Sequence, residues 1–186
     1  MIFSEEEFVE YVMRNDRNRY LLDTLPALRL PQCTLTAGCL FQTVWNIKSG
    51  NKPDWAIKDY DIFYFDASDL SWEAEDAVIQ KARSLLGNMG ESIEIRNQAR
   101  VHLWYQQKFN SPCPVLTCVE DGIDRFLIEG SKFGINLETG SVYAPIGFDD
   151  MWKGVLRINP NNPHRDLFIS KCQTYRSRWP WLSIFS

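Results

Sequence analysis

The stretch IKDYDIFYFD, residues 57–66, constrains the fold more than any other part of the sequence. Its apolar and aromatic residues alternate with polar ones, which predicts a β-strand. Two aspartates, Asp59 and Asp61, stand two residues apart, so on a strand both side chains point to the same face. Asp is depleted in strands, and two negative charges at this spacing repel each other unless a cation neutralises them. Either the rest of the fold supplies that cation, or Asp59 ends a loop and pairs with Lys58 or Lys52.

The composition and charge of the chain exclude several classes of protein. Of its 186 residues, 45% are hydrophobic and 24% charged, as expected of a soluble globular domain. The formal net charge of −4 argues against binding of long duplex nucleic acid through bulk positive charge. No apolar run is long enough to span a membrane, and the N-terminus carries acids where a secretory signal would carry positive charge. We therefore expect a cytoplasmic protein.

The cysteines predict neither a disulfide framework nor a zinc site. Their number is odd, none forms a C-x-x-C pair, and the chain has only two histidines. We expect reduced and mostly buried thiols at Cys33, Cys39, Cys113, Cys118 and Cys172.

The order of the predicted elements places the two aspartates in a wider pattern. Residues 33–38, CTLTAG, predict a short strand ending at Gly38, and residues 39–48 carry apolar side chains at helical spacing. After the strand with the two aspartates, Ser71 is a good N-cap for a helix. Residues 92–97, SIEIRN, then alternate as a further strand, with an acid on the polar face. Strand, glycine turn, helix, strand with two acids, helix and strand with one acid follow one another.

The remaining segments predict mainly helices. A capping box of Ser4 and Glu7 predicts a helix from about residue 5. A second helix is predicted within 17–30, either ending near Pro26 or running on after a kink. Further helices are predicted at 98–109, 115–128, 148–158 and 164–179, with a hairpin over 133–147 that turns at Thr139 and Gly140. We therefore expect an α/β core with N-terminal helices over residues 1–110. Residues 111–186 are expected to form a helical extension with a hairpin, packed on the core as one compact unit.

Three carboxylates and a glycine turn suggest a metal-assisted phosphate chemistry. Asp59 and Asp61 on one strand, with Glu94 on another, supply the oxygen ligands that magnesium prefers alongside substrate phosphates. Gly38 permits close approach of the backbone to a phosphate, and the N-terminus of the helix after it offers free N–H groups.

This order of elements resembles the DNA polymerase beta-type nucleotidyltransferase superfamily. That superfamily has a Gly-Ser or Gly-Gly turn, an Asp-x-Asp or Asp-x-Glu pair and a third acid on a later strand. The chain resembles, more closely, a bacterial family of nucleotidyltransferases. The segments that carry this resemblance are LTAGCLFQTVWN, KDYDIFYFDASDLSWEAED, IEIRNQARVHLWY, YAPIGFDDMW and WPWL. The resemblance extends from about residue 30 to the end. It implies an α/β (α+β) fold with a small mixed sheet flanked by helices and a mainly helical C-terminal part.

The resemblance also implies roles for particular residues. Asp59, Asp61 and Glu94 would be catalytic and hold Mg²⁺ or Mn²⁺, with a nucleoside triphosphate as substrate. Gly38 and Cys39 would form the turn that faces its phosphates. The sequence departs from the superfamily in two places. Cys39 stands where Ser or Gly is usual, which removes a hydroxyl contact to phosphate, and the gap between the turn and the aspartates is longer than usual.

Four further residues are candidates for binding. Arg96 and Arg100 would hold a triphosphate or an anionic acceptor, although pairing of Arg96 with Glu94 for structural reasons is an equal alternative. Thr43 and Asn46, on the helix after the glycine turn, would line a nucleotide pocket, unless Thr43 faces the neighbouring strand.

Two functions follow. The first is a nucleotidyltransferase that moves a nucleoside monophosphate from a nucleoside triphosphate to an acceptor hydroxyl. The acidic net charge makes a small molecule or a protein the more natural acceptor, and a short RNA end remains open. The alternative is a catalytically inactive nucleotide-binding or regulatory interaction module of the same fold, which the cysteine after the glycine favours.

Overall fold

The computed structural model describes residues 3–185, and its centre is a five-stranded mixed sheet. The strands are β1 Thr34–Thr36, β2 Tyr60–Tyr64, β3 Ile93–Asn97, β4 Gly134–Asn136 and β5 Val142–Tyr143. They lie in the order β3-β2-β1-β4-β5. β2 and β3 run parallel, and the other neighbouring strands are antiparallel. The small mixed sheet expected from the sequence is confirmed.

Helices flank this sheet and recur along the described chain. They are α1 Glu5–Met13, α2 Asp16–Thr24, α3 Gly38–Lys48, α4 Trp72–Leu86, α5 Val101–Phe109, α6 Val119–Ile123, α7 Asp149–Lys153 and α8 Arg165–Arg178. The capping box predicted for the first helix is present, because the Ser4 hydroxyl accepts from the Glu7 N–H at 3.2 Å and the Glu7 carboxylate accepts from the Ser4 N–H at 2.8 Å.

The alternation of β2 gives the sheet two unlike faces. Tyr60, Ile62 and Tyr64 are buried on one face, where α3 packs. Asp61 and Phe63 lie on the other face and are only partly buried. Since the period of a strand is two residues, this arrangement directs the acid of the strand away from the main core. The polar face of β2 is therefore open to a ligand.

Two of the predicted helices in the second half are wrong in part. Of residues 115–128 only α6 is helical. The helix predicted over 148–158 ends at Lys153, because Gly154 adopts a left-handed conformation with φ 72° that does not continue a helix. A strand, β6 Val155–Arg157, follows and pairs in parallel with β7 Ser183–Phe185. The hairpin predicted over 133–147 is confirmed, with Gly140 at φ 71° in its turn.

One hydrophobic core connects the N-terminal and C-terminal parts of the described chain, from Phe3 to Leu182. Trp179, which is fully buried, donates from its indole N–H to the Asn46 side-chain oxygen at 3.0 Å. Trp45 donates to the Met151 carbonyl at 2.9 Å. Buried tryptophans with satisfied N–H groups thus hold the C-terminal helices against α3. Within residues 3–185, every helix is too short or too polar to cross a lipid bilayer.

Candidate active site

The sheet places two of the predicted acids side by side. In the parallel register of β2 and β3, Asp61 is the partner of Glu94. Neighbouring strands lie about 4.8 Å apart, so the two side chains start close together on the same face. On the other side of β2, Asp61 is the partner of Thr36, the last residue of β1. Asp61 therefore lies between the third acid and the turn that leads into α3.

Asp59 completes this acidic group from outside the strand. β2 begins at Tyr60, so Asp59 lies in the preceding loop and is exposed, in contrast to the prediction that both aspartates stand on the strand. Burial raises the pKa of Asp61 to about 7, and repulsion from Asp59 and Glu94 adds to the rise. Lys171 and Arg96 act in the opposite direction. The negative charge of the group exceeds what its neighbours neutralise.

Glu94 is held by an arginine of its own strand. The Arg96 guanidinium donates to the Glu94 carboxylate, with N–O distances of 2.8 and 3.1 Å. The side chains of Arg96 and Glu94 are 36% and 41% exposed, and so open an ion pair contributes no more than about 1 kcal/mol. Glu94 can therefore exchange Arg96 for another cation at little cost. Between Phe3 and Phe185, no group of three or more His, Cys, Asp or Glu side chains is already arranged to hold a metal ion.

The donor set fits a hard divalent cation all the same. Its oxygens are carboxylate oxygens, which magnesium and manganese prefer. Burial, and after it the repulsion from Asp59 and Glu94, raise the pKa of Asp61, and a cation at the carboxylates would oppose that rise. By their chemistry Asp59 and Asp61 would be the ligands of such an ion, and Glu94 would join them after release from Arg96.

A lysine from the C-terminal part of the chain also reaches this site. Lys171 of α8 is close enough to interact electrostatically with both Asp61 and Asp59. Its side chain is exposed, yet desolvation by the surrounding protein lowers the pKa of its ammonium group, while the two aspartates raise it. The sequence reasoning missed this residue, because it is more than a hundred residues from the aspartates and no local pattern marks it.

The backbone of the turn before α3 is strained at one residue. Ala37 adopts φ 62° and ψ −140°, a conformation that is usual only for glycine. No side chain caps the N-terminus of α3, and the Leu40 N–H donates to the Ala37 carbonyl at 3.2 Å, so the N–H groups of Gly38 and Cys39 are those suited to an anion. Gly38 leaves room for the Gln42 side chain, since an added Cβ would lie 2.3 Å from its amide nitrogen. Gln42 in turn accepts from Arg178 of α8 at 3.0 Å.

Cys39 does not present its side chain to the turn surface. The thiol is fully buried and donates to the Thr36 carbonyl at 3.2 Å. Burial raises the pKa of Cys39 well above its usual value, and the negative charge of Asp61 adds to the effect. Of this residue, only the backbone N–H is suited to contact with a phosphate.

The structure places Thr43 and Asn46 in the interior rather than at a nucleotide pocket. Both are fully buried. The Thr43 hydroxyl donates to the Cys39 carbonyl and accepts from Asn15 at 3.0 Å. Asn46 donates to two carbonyls of the loop before β2 and accepts from Trp179. Their hydrogen-bonding groups serve to join helices and loop, which corrects the expectation that they line a pocket.

Arg100 likewise has a structural partner. Its guanidinium pairs with Glu75 of α4 in a buried ion pair and donates to the Leu70 carbonyl at 2.9 Å. Glu75 also accepts from the Asn97 N–H at 2.7 Å. A charge neutralised in this way has little left for a substrate. Arg96 is also paired, with Glu94, as in the structural alternative left open by the sequence, but this pair is partly exposed.

A partly apolar cavity of about 210 Å³ adjoins the two acids on the open face of the sheet. Its walls come from β2, β3, α5 and the segment around α6. We call it the aromatic cleft and define it by Asp61, Glu94, Trp104, Tyr105, Lys108 and Arg125. Arg125 was not expected from the sequence, because its separation in the chain from the acids gives no sign of its place beside them.

Comparison with known structures shows which fold the chain shares. The fold is similar to a solved structure described as a CCA-adding enzyme head domain, with a TM-score of 0.76 and 19% sequence identity. The match covers 100% of this chain and 98% of that chain. The fold is thus that of a polymerase beta-type nucleotidyltransferase.

The sequence itself identifies the family. The profile of a family described as nucleotidyltransferase matches residues 23–184. The chain therefore belongs to this nucleotidyltransferase family. No curated protein matches the chain.

Proposed function

We propose that this protein transfers a nucleoside monophosphate from a nucleoside triphosphate to an acceptor hydroxyl, with a divalent metal held by Asp59, Asp61 and Glu94. The observation that carries the proposal is the register that sets Asp61 beside Glu94, at the end of the turn leading into α3. Membership of the nucleotidyltransferase family supports a transfer reaction.

The charges around the acids support a place for the triphosphate. The N–H groups of Gly38 and Cys39 at the start of α3 lie at the turn that follows the β1 partner of Asp61. Lys171 supplies a positive charge from α8. These groups would bind the phosphates on the side of Asp61 away from Glu94. Mg²⁺ or Mn²⁺ at the carboxylates would neutralise the charge that develops on the phosphates.

The reaction needs one proton acceptor near the incoming hydroxyl. The acceptor oxygen forms a bond to the α-phosphorus, the bond between the α- and β-phosphates breaks, and pyrophosphate leaves. The hydroxyl proton passes to the Glu94 carboxylate or to water. Glu94 suits this role because it is on the side of Asp61 next to the aromatic cleft. Arg96 would release Glu94 and hold an anionic group of a substrate instead.

The proposal is tested by transfer of an α-labelled nucleotide. The purified protein is incubated with each nucleoside triphosphate, Mg²⁺ or Mn²⁺ and fractions of a cell extract, and labelled RNA, protein and small molecules are separated. The Asp61→Asn variant is expected to lose the transfer by at least about a hundredfold, because an amide has no negative charge with which to hold the metal ion. Asp23→Asn, at an exposed aspartate of α2, is the matched control and is expected to retain it.

Transfer at an undiminished rate by Asp61→Asn would exclude the proposed site. Binding of nucleotides with no transfer to any fraction would instead support the alternative, a nucleotide-binding or regulatory interaction module. Cys39, the residue that favoured this alternative in the sequence, has its side chain buried, so its identity removes no contact from the surface of the turn.

A further inference from the structure

The aromatic cleft continues into a second concave surface. An open groove of about 420 Å³ runs from the cleft toward the start of α4. We call it the outer groove and define it by Arg96, Trp104, Lys108 and Trp72. The first three of these residues also line the aromatic cleft. A ligand that extends from the acids can therefore pass from one surface to the other without leaving the protein.

Arg125 gives the aromatic cleft an unsatisfied positive charge. Its guanidinium lies over the Tyr105 ring, 5.5 Å from the centroid. The Nε atom is buried and has no hydrogen-bond partner in the described chain, and a terminal nitrogen makes only a long contact of 3.5 Å to the Pro112 carbonyl. Buried polar groups in proteins are nearly always paired, and those of arginine match phosphate oxygens well.

Lys108 adds a second cation to the same region. Its ammonium group lies 5.5 Å from the Trp104 centroid and 5.3 Å from the Phe109 centroid. Over residues 3–185, neither Lys108 nor Arg125 has a carboxylate within ion-pairing distance. Beside the carboxylates of Asp61 and Glu94, the aromatic cleft therefore carries two positive charges that have no ion-pair partner in the described chain.

Aromatic rings accompany the cations along the whole path. Tyr105 and Trp104 are half-buried neighbours in the aromatic cleft, with centroids 6.1 Å apart. Trp72, at the far side of the outer groove, is 64% exposed. Trp72 lines the outer groove together with Arg96 and Lys108. A tryptophan this exposed is unusual unless something covers it. Cations that follow a backbone and rings on which successive bases stack are the features that bind single-stranded nucleic acid.

We propose that the acceptor is the end of a single-stranded nucleic acid, which rests on the transfer activity proposed above. The terminal nucleotide lies in the aromatic cleft, with its base on Tyr105 and its phosphate at Arg125. Its terminal hydroxyl reaches Glu94. The next nucleotide lies along the outer groove, with its phosphate at Lys108 and its base on Trp72.

The dimensions of the two surfaces favour a single strand over other nucleotide ligands. The aromatic cleft, at about 210 Å³, is smaller than the usual range of about 300 to 1,000 Å³ for sites that enclose a whole ligand, and so suits one ring rather than a base pair. A free mononucleotide has no second nucleotide to place in the outer groove, so it cannot use the contacts that this groove offers. A duplex has no unstacked base to offer the cleft.

Binding is tested without nucleoside triphosphate or metal, so that the result does not depend on transfer. The anisotropy of a short, fluorescein-labelled single-stranded oligoribonucleotide is measured with the parent protein and its variants. Arg125→Gln, Tyr105→Leu and Trp72→Ala are each expected to weaken binding by about tenfold. Tyr105→Phe, which keeps the ring, is expected to bind as the parent does. Lys81→Gln, at an exposed lysine of α4, is the charge-matched control. Thermal denaturation verifies that each variant is folded.

Competition with unlabelled ligands shows whether the site prefers a single strand, a duplex or a free mononucleotide. The annealed duplex and adenosine monophosphate are each expected to compete at least about tenfold less well than the single strand. If the mononucleotide competes equally well, the strand is excluded in favour of a free nucleotide. If Arg125→Gln and Tyr105→Leu bind the strand as tightly as the parent, the inference is wrong, whatever the result of the transfer assay. If strand binding depends on Arg125 but Asp61→Asn retains transfer, the strand site stands and the proposed catalytic site fails.

Discussion

The surroundings of Asp61 disfavour the charged form of its carboxyl group. Its charged form is destabilised by burial and by the two neighbouring acids, which raises its pKa in the folded chain to about 7 from an ordinary value of 3.8. A carboxyl group that binds its proton more tightly when folded makes the protein less stable as the pH rises through the interval between these two values. In the absence of a divalent cation, the stability of the fold and the proposed function of this residue are therefore opposed.

This conflict predicts the effect of Asp61→Asn on metal-free protein. The variant is expected to be more stable than the parent by about 2 kcal/mol above pH 7, with the difference shrinking toward zero as the pH falls to about 4. Urea unfolding in the presence of a chelator, followed by circular dichroism from pH 4 to 8, measures it. Asp23→Asn is the control and is expected to show no such trend. A difference that does not vary with pH would mean that charge repulsion is not its cause.

Cys39 leads to a second prediction for a single residue. The thiol points into the core and donates to Thr36, so Cys39→Ser replaces one buried donor by another and does not bring a hydroxyl to the phosphates. We expect the variant to be less stable by about 1 kcal/mol and to transfer nucleotide at the rate of the parent. Steady-state transfer and urea unfolding measure the two effects. A large gain in transfer rate would show that the side chain reaches the triphosphate after all.

Among the elements, the junction of α4, β3 and α5 depends on one buried ion pair. Glu75 of α4 joins Arg100 before α5 and the Asn97 N–H at the end of β3. This junction positions both Glu94 and the wall of the aromatic cleft. A rigid junction therefore keeps these groups of the site in place. Arg100 thus acts on the site through the structure rather than by contact with a substrate.

Removal of one member of this pair is expected to be costly. Glu75→Gln leaves Arg100 charged and unpaired in the interior, so we expect a loss of about 3 to 5 kcal/mol in the free energy of unfolding. Glu73→Gln, at an exposed glutamate of the same helix, is the control and is expected to change stability by about 0.5 kcal/mol or less. The double variant Glu75→Leu, Arg100→Leu is expected to recover most of the loss. Urea unfolding of all four proteins decides, and no recovery in the double variant would contradict the explanation.

The elements that the sequence predicts correctly are those with a clear internal period or cap. β2 and β3 alternate over five residues each, and the first helix has its complete capping box. β6 and β7 were missed, because each is three residues long and owes its conformation to a partner more than 25 residues away. The order of the elements in the chain also predicts that Asp61 and Glu94 lie on neighbouring strands. It does not predict the places of Lys171 and Arg125, since only the tertiary fold brings them there.

Thr43 and Asn46 show a different limit of reasoning from sequence. Their closeness to Gly38 in the chain suggested a place at the nucleotide site. A helix, however, turns about 100° per residue, and these two positions fall on the side that meets α1, α2 and the C-terminal tryptophan. The choice between the two sides depends on what packs there, which the helix sequence alone does not reveal.

At the scale of the whole molecule, the C-terminal part completes the core of the first part. Trp179 packs on Trp45, with ring centroids 5.3 Å apart, and α8 brings Lys171 to the acids. We propose on this basis that residues 1–110 and 111–186 fold as one compact unit. The site would then exist only when the chain is folded as a whole.

Trp179→Ala tests this proposal. The variant is expected to lose about 3 to 5 kcal/mol of stability, because it leaves a cavity between α8 and α3 and removes the partner of Asn46. Urea unfolding is followed by circular dichroism and by hydrogen exchange of amides in β2 and in α8, which are expected to report one transition at the same midpoint. Trp72→Ala, at an exposed tryptophan, is the control for stability. Separate midpoints for the two elements would show two independently folding units.

The contrast between these two tryptophans has a practical consequence. The indole of Trp72 stands in water at the rim of the outer groove, while those of Trp45 and Trp179 lie in an apolar interior. Water shifts indole emission to longer wavelengths, so Trp72 emits at the red edge of the spectrum together with the exposed Trp55 and Trp181, while the buried pair emits at the blue edge. The difference between the emission spectra of the parent and of Trp72→Ala therefore isolates the signal of the groove from that of the core, without any attached dye.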